Sequence, residues 1–221
     1  LVLCVDQTQN IYERKLFNSK QMAVRGFGNA WFNLTTSYRM PISLCKLSAN
    51  FIEMFLPDTE NIRPLPLQDD IEFKTILKWK ECNEQNMIKE TVKALLEIIK
   101  ENESTAFADL TCIVDRKANG QAIAKLLREK KIKCIDTFAK QDKEGKRQKM
   151  RFYKGVAQVK LTTINSFKGW EAKSIVIQSK MIKSISQKEL FFSALTRLKK
   201  TDNGCFLTVI NISENLEKYG R

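Results

Sequence analysis

Residues 161–171 read LTTINSFKGWE, and the meaning of this stretch decides the fold. Val159, Leu161 and Thr163 alternate in the manner of a strand with one face in a core. Directly after them Asn165, Ser166, Lys168, Gly169 and Glu171 crowd hydrogen-bonding groups into a few residues. In α/β proteins the end of a buried strand is where ligand sites are built, so the stretch is either such a site or an ordinary solvated strand-to-helix loop. What surrounds it separates the two.

On both sides the chain alternates strand and helix. Before the stretch, strands are expected over residues 71–79, 107–114, 132–138 and 156–163. Between them fall helices over 84–101, 119–130 and 143–153. The first carries the apolar stripe Ile88, Val92, Leu95, Leu96 and Ile99, the second turns Ile123, Leu126 and Leu127 inward, and the third is basic. After the stretch come a strand over 174–178, a helix over 187–200, a strand over 205–210 and a terminal helix over 213–219. Nearer the start, Pro41 suits a first helical turn, and Ile42, Cys45, Ala49, Ile52 and Phe55 follow at near-helical spacing until Pro57. Residues 57–70 read as an acidic, proline-containing surface loop, 1–5 as a buried strand, and 13–29 as an irregular connection. Gly26 and Gly28 are no dinucleotide fingerprint, because Trp31 stands where a third glycine belongs. Strands and helices alternating at this spacing imply α/β architecture, a parallel sheet covered on both faces.

A chain of 221 residues buries a real core and suits one large domain better than two. Hydrophobic content of 43% and charged content of 29% are those of a soluble globular protein. No apolar run approaches the roughly 20 residues of a membrane span, and no signal-peptide pattern opens the chain. Leu1 already lies in a strand-like run, LVLCV, so the sequence is expected to begin inside a longer gene product. The 6 cysteines are scattered, with no CxxC pair and no histidine, which speaks against zinc and for buried free thiols in a reducing, cytoplasmic setting. The net charge of +13 is uneven: residues 106–221 hold 25 Lys+Arg against 11 Asp+Glu, and residues 57–105 hold 7 against 11. Lys143, Lys146, Arg147, Lys149, Arg151 and Lys154 form the densest basic cluster, which suits a polyanion such as nucleic acid or, more simply, a solubilising helix face.

Residues 161–171 resemble motif V of the UvrD/Rep branch of superfamily-one helicases, whose usual form is close to TIHSAKGLEF. Three further segments match that family in the same order. VDQTQNIY at 5–12 is similar to motif III, LTTSYR at 34–39 to motif IV, and ALTRLK at 194–199 to motif VI. The resemblance implies a RecA-like, P-loop NTPase-type second motor domain over 31–221, preceded over 1–30 by the tail of a first motor domain and a connection. Typical members insert a large accessory domain between motifs IV and V. Here the interval from Arg39 to Thr162 is already filled by alternating elements, so a compact motor is expected.

The implied chemistry is ATP hydrolysis coupled to movement along single-stranded DNA, with 3′ to 5′ polarity by resemblance. ATP and Mg2+ would be held largely by an N-terminal RecA-like domain of the same protein, which supplies the Walker A lysine and Walker B acid. Neither is present: Gly145-Lys146 has Lys140 where the first Walker glycine belongs and Arg147 where Ser or Thr belongs, so the chain alone is not expected to turn over ATP. By resemblance Arg197 matches the arginine finger, Arg39 a phosphate-contacting arginine, and Gln9 the residue that senses the γ-phosphate. Glu171 matches the acceptor for the nucleotide ribose, and Gly169 a position of close backbone approach. DNA contacts fall to Tyr12, Arg14, Thr163 and Asn165, with Arg14 replacing a stacking tryptophan and Asn165 the usual histidine. Trp170 replaces a leucine and is read as packing. The competing reading is a catalytically inactive helicase-like domain that binds nucleic acid or a partner.

Overall fold

The computed structural model describes residues 36–57, 63–67, 74–101, 107–138, 150–153, 155–180 and 182–220. The expected strand over 1–5, the connection over 13–29, the residues Gln9, Tyr12 and Arg14, and most of the basic helix over 143–153 lie outside them.

Among the described residues the elements run β1 (Thr36–Ser37), α1 (Ile42–Phe55), β2 (Leu65–Pro66), β3 (Thr75–Glu81), α2 (Met87–Glu101), β4 (Leu110–Val114) and α3 (Lys117–Glu129). They continue with β5 (Cys134–Asp136), β6 (Val159–Thr163), the single turn α4 (Ile164–Phe167), β7 (Ser174–Ser179), α5 (Ile185–Leu195) and β8 (Cys205–Asn211). Six strands form one sheet in the order β3-β8-β7-β4-β6-β5, and every neighbouring pair is parallel. This is the α/β layout expected from the alternation.

Both faces of the sheet are covered. Because successive strand side chains point to opposite faces, a strand buried on both is apolar along most of its length, and LTCIV of β4 is, apart from the buried Thr111. On one face Ile113, Ile175, Ile177, Leu207 and Val209 pack with α1, α4 and α5. On the other, Cys112, Leu161, Val176, Phe206 and Ile210 pack with α2 and α3. Phe51 anchors the first core at 0% exposure, with ring centroids of Phe55, Phe191 and Tyr219 at 4.8, 5.6 and 5.3 Å. Truncating such a ring to alanine costs about 3–5 kcal/mol.

The two faces also explain where a site can form. β4 runs into α3 on one face, while its neighbours β6 and β7 run into α4 and α5 on the other. Connections that leave adjacent strands on opposite sides open a crevice at the carboxyl ends of those strands.

Several boundaries differ from the sequence reading. Pro41 is the N-cap of α1 and precedes its first turn. Residues 57–70 were expected as loop throughout, yet Leu65–Pro66 pairs in parallel with Thr36–Ser37, a non-local contact that local composition does not encode. β3 runs on to Glu81 because β8 continues alongside it to Asn211. Phe107–Asp109 is a 3-10 turn ahead of β4, and the expected terminal helix shrinks to the 3-10 turn Glu214–Leu216. Helix α5 begins earlier than expected because Ser184 and Gln187 form a reciprocal capping box. It ends earlier too, at Leu195, because Leu198 is drawn into a bridge with Ala172.

Candidate functional site

The first candidate site lies where β7 and β8 begin. Three segments far apart in sequence meet there through backbone hydrogen bonds. Ala172 N donates to Arg197 O at 3.2 Å, Lys199 N to Ala172 O at 3.0 Å, and Lys200 N to Arg39 O at 2.9 Å. The Arg39 side chain closes the same knot, its Nη2 donating to Thr196 O at 2.7 Å. Arg39, Glu171 and Arg197 thus belong to one cluster at the amino end of the sheet.

Within it each expected residue has a definite setting. Glu171 accepts from Lys199 Nζ at 2.9 Å. Gly169 has φ +86, and a Cβ there would meet nothing within 4 Å, so among the described residues its need for glycine is conformational. Trp170 closes the turn by donating its N–H to Phe167 O at 2.9 Å, and its ring meets Phe152 edge-on at 5.9 Å, which is the packing role expected. Arg197, just past the end of α5, is 4% exposed and folds back on the last turn of that helix, with Nε donating to Ser193 O at 3.0 Å and Nη2 to Ser193 Oγ at 3.4 Å. Tyr38, beside Arg39, is 73% exposed. The sequence reading passed over it, although it lies inside the LTTSYR segment. Its ring offers a stacking face next to the cluster.

Beneath residues 167–173 lies a small cavity of about 120 Å³ bordered by Thr111, Lys160, Trp170 and Glu171. Lys160 is 3% exposed and donates to the Ala108 carbonyl. Burial lowers its pKa, opposed by the nearby Asp109 carboxylate. Lys173 at the rim is paired with Asp109 at 2.8 Å.

The cluster fits an anionic group. Arg39 Nε is buried and has no hydrogen-bond partner among the described residues, and a buried guanidinium nitrogen without an acceptor is costly. Lys200 adds positive charge in the same segment, while Lys173 and Lys199 are paired with Asp109 and Glu171. No group of three or more His, Cys, Asp or Glu suited to a metal ion occurs among the described residues.

The second candidate site is the crevice at the opposite end of the strands, a groove of about 430 Å³. Thr163 and Asn165 line it, as do Asp115, Arg116 and Lys117 after β4 and Ser179 and Lys180 at the end of β7. Ile113, Ile177 and Phe191 give it an apolar floor. Asn165 is exposed, while Thr163 Oγ1 is turned to Ser166 Oγ at 3.3 Å. The groove residues therefore stand apart from Arg39, Glu171 and Arg197, and residues 163–173 run from one site to the other. Asp115, Arg116 and Lys117 were missed by the sequence reading. The signal was there, since they follow an expected buried strand just as Asn165 follows β6.

No family model and no curated protein sequence matches the chain. Among solved structures, the C-terminal domain of a possible DNA helicase from Lactobacillus plantarum WCFS1 aligns with 83% of this chain and 94% of that one, at 14% identity and a TM-score of 0.47. The Escherichia coli DEAD-box protein SrmB, solved bound to the regulator of ribonuclease activity A, aligns with 66% of this chain and 82% of that one, at 12% identity and a TM-score of 0.41. The class defined by the sheet itself is α/β, with parallel strands, helices on both faces and a candidate site at each end of the strands. No described helix is long and apolar enough to cross a membrane.

Proposed function

We propose that this chain is the second RecA-like motor domain of a UvrD/Rep-like helicase or translocase that works on single-stranded DNA. The observation that carries the reading is the knot at the amino end of the sheet. The segments resembling motifs IV, V and VI, set far apart in sequence, are tied together there through Arg39, Ala172 and residues 196–200. Chance likenesses in sequence have no reason to converge.

In this reading the cluster receives the phosphates of ATP, whose bound triphosphate supplies the phosphoryl group transferred to water. Arg39 offers its Nε, which has no partner among the described residues, and Arg197 its guanidinium to charge developing on the phosphoryl oxygens, an effect worth about 10³–10⁵ in rate in related systems. Arg197 must first leave Ser193, so domain closure and delivery of the guanidinium are one motion. Glu171, oriented by Lys199, accepts from the ribose. The Walker lysine and the magnesium ligands come from an N-terminal RecA-like partner domain. At the far end, Thr163 and Asn165 meet the strand's backbone together with the exposed Arg116 and Lys117. Residues 163–173 join the two sites and give the domain a direct mechanical link between them.

The second reading, a nucleic-acid-binding or interaction domain without motor activity, is favoured by the burial of Arg197 against Ser193. Single-strand-stimulated ATP hydrolysis by the intact natural protein separates them. Stimulated turnover that collapses in a folded Arg197→Ala variant supports the motor. Salt-sensitive strand binding with no turnover leaves the binding module.

A further inference from the structure

We infer that the groove at the carboxyl ends of β4, β6 and β7 takes RNA as well as DNA and holds the ribose form more tightly, with Asp115 accepting a hydrogen bond from a sugar 2′-hydroxyl. This rests on the reading of that groove as the path of a single strand.

A carboxylate is out of place in a groove meant only for phosphates. Asp115 lines the groove beside Arg116 and Lys117, and its side chain is 10% exposed, against 60% for Arg116. Asn119 Nδ2 donates to its Oδ1 at 2.6 Å, and Arg116 Nε pairs with Oδ2 at 3.9 Å, an ion pair too long to be a hydrogen bond. An ionised carboxylate has about four acceptor sites, so most of its capacity is left. Toward a phosphate it is repulsive. It becomes favourable only where the bound strand presents a donor.

Ser179 leaves a second polar group unmet in the same groove, and its hydroxyl can donate to a phosphate or accept from a sugar. It is 1% exposed, its Oγ is buried with no hydrogen-bond partner among the described residues, and it borders the same groove. A buried hydroxyl left unsatisfied costs free energy that a ligand group can recover.

The donors of a single strand are the base amino and imino groups and, in RNA alone, the 2′-hydroxyl. Asp115 and Arg116 are adjacent in the chain, and consecutive Cα atoms lie about 3.8 Å apart. With Arg116 on a phosphate, the group within reach of Asp115 is the neighbouring sugar. The base turns to the apolar floor at Ile177 and Phe191.

The test measures binding of oligouridylate in ribose, deoxyribose and 2′-O-methyl form to the intact natural protein, by fluorescence anisotropy at one fixed salt concentration. Base and length are constant, so only the sugar differs. A net hydrogen bond to a charged group corresponds to about tenfold in affinity, so the ribose form is expected to bind about tenfold tighter than the deoxyribose form. The 2′-O-methyl form loses that advantage, and Asp115→Ala closes the gap between ribose and deoxyribose. The methylated strand removes the donor without touching the protein, so the test holds even if the variant misfolds. Equal binding of ribose and deoxyribose forms, both salt-sensitive and weakened by Arg116→Ala with Lys117→Ala, overturns the sugar inference and leaves the groove reading standing. A ribose preference that survives in folded Asp115→Ala overturns the assignment to Asp115. Absence of salt-sensitive binding to either strand overturns both.

Discussion

Replacing Arg39 by alanine should leave stability nearly unchanged while removing function, and the structure gives the reason. Among the described residues the side chain makes one charged hydrogen bond, Nη2 to Thr196 O at 2.7 Å, worth about 1.5–3 kcal/mol net. Its Nε is buried without a partner among the described residues, a penalty of about 1–3 kcal/mol that disappears with the side chain. The two terms nearly cancel, so the unfolding free energy should move by no more than about 1 kcal/mol, or about 2–4 °C in Tm for a domain of this size. The backbone tie from Lys200 N to Arg39 O does not depend on the side chain and remains. Urea unfolding followed by far-UV circular dichroism reads the stability. Strand-stimulated ATP hydrolysis by the intact protein reads the function, which should fall about a hundredfold or more. A loss of more than about 3 kcal/mol would mean that Arg39 is a structural residue whose Nε is satisfied, and unchanged hydrolysis would remove it from the nucleotide site.

Two further substitutions probe the scaffold. A Cβ on Gly120 of α3 would stand 2.1 Å from Phe138 Cζ, so Gly120→Ala forces the buried ring to move. Overpacking of about 1–3 kcal/mol outweighs the gain in helix propensity of about 1 kcal/mol, and urea unfolding should show a net loss. A stabilised variant would mean that the Phe138 ring yields freely. Glu97 is held below the usual carboxylate range first by its hydrogen bond with Lys80, at 2.6 Å, against a smaller opposing effect of burial. Its folded pKa lies below the unfolded value, so the contribution is present above the ordinary carboxylate range and is lost as pH falls through the folded value. Lys80 and Glu97 are 24% and 30% exposed, so solvent screens the pair only in part, and Glu97→Gln should cost about 1 kcal/mol or less at neutral pH. Parent and variant should converge in acid, and a difference that persists there would assign the effect to packing.

The alternation of elements was legible because burial on one or two faces leaves a periodic signature. The stripe from Ile88 to Ile99 placed α2, and the apolar run before Asp115 placed β4. Ends were less legible wherever a distant partner set them. The bridge from Leu198 to Ala172 stopped α5, and the pairing of β1 with β2 turned part of an expected loop into strand. For the site, the sequence named Arg39, Glu171, Arg197, Thr163 and Asn165 through short motifs. It passed over Tyr38, whose exposure is a tertiary property, and Asp115, Arg116 and Lys117, which no recognised motif marked.

By itself the sequence determined which residues must be buried and which chemistry is available, since side-chain polarity and its period are local properties. It fixed the parallel α/β layout, the excess of positive charge and the arginines suited to phosphate. Only the tertiary structure decided that Arg39, Glu171 and Arg197 share one end of the sheet while Thr163 and Asn165 face the other. It alone turned Arg197 inward onto Ser193 and left Arg39 Nε and Ser179 Oγ without partners among the described residues. Those outcomes depend on strand order and on hydrogen bonds between segments more than a hundred residues apart, such as Arg39 to Thr196, which no local pattern encodes.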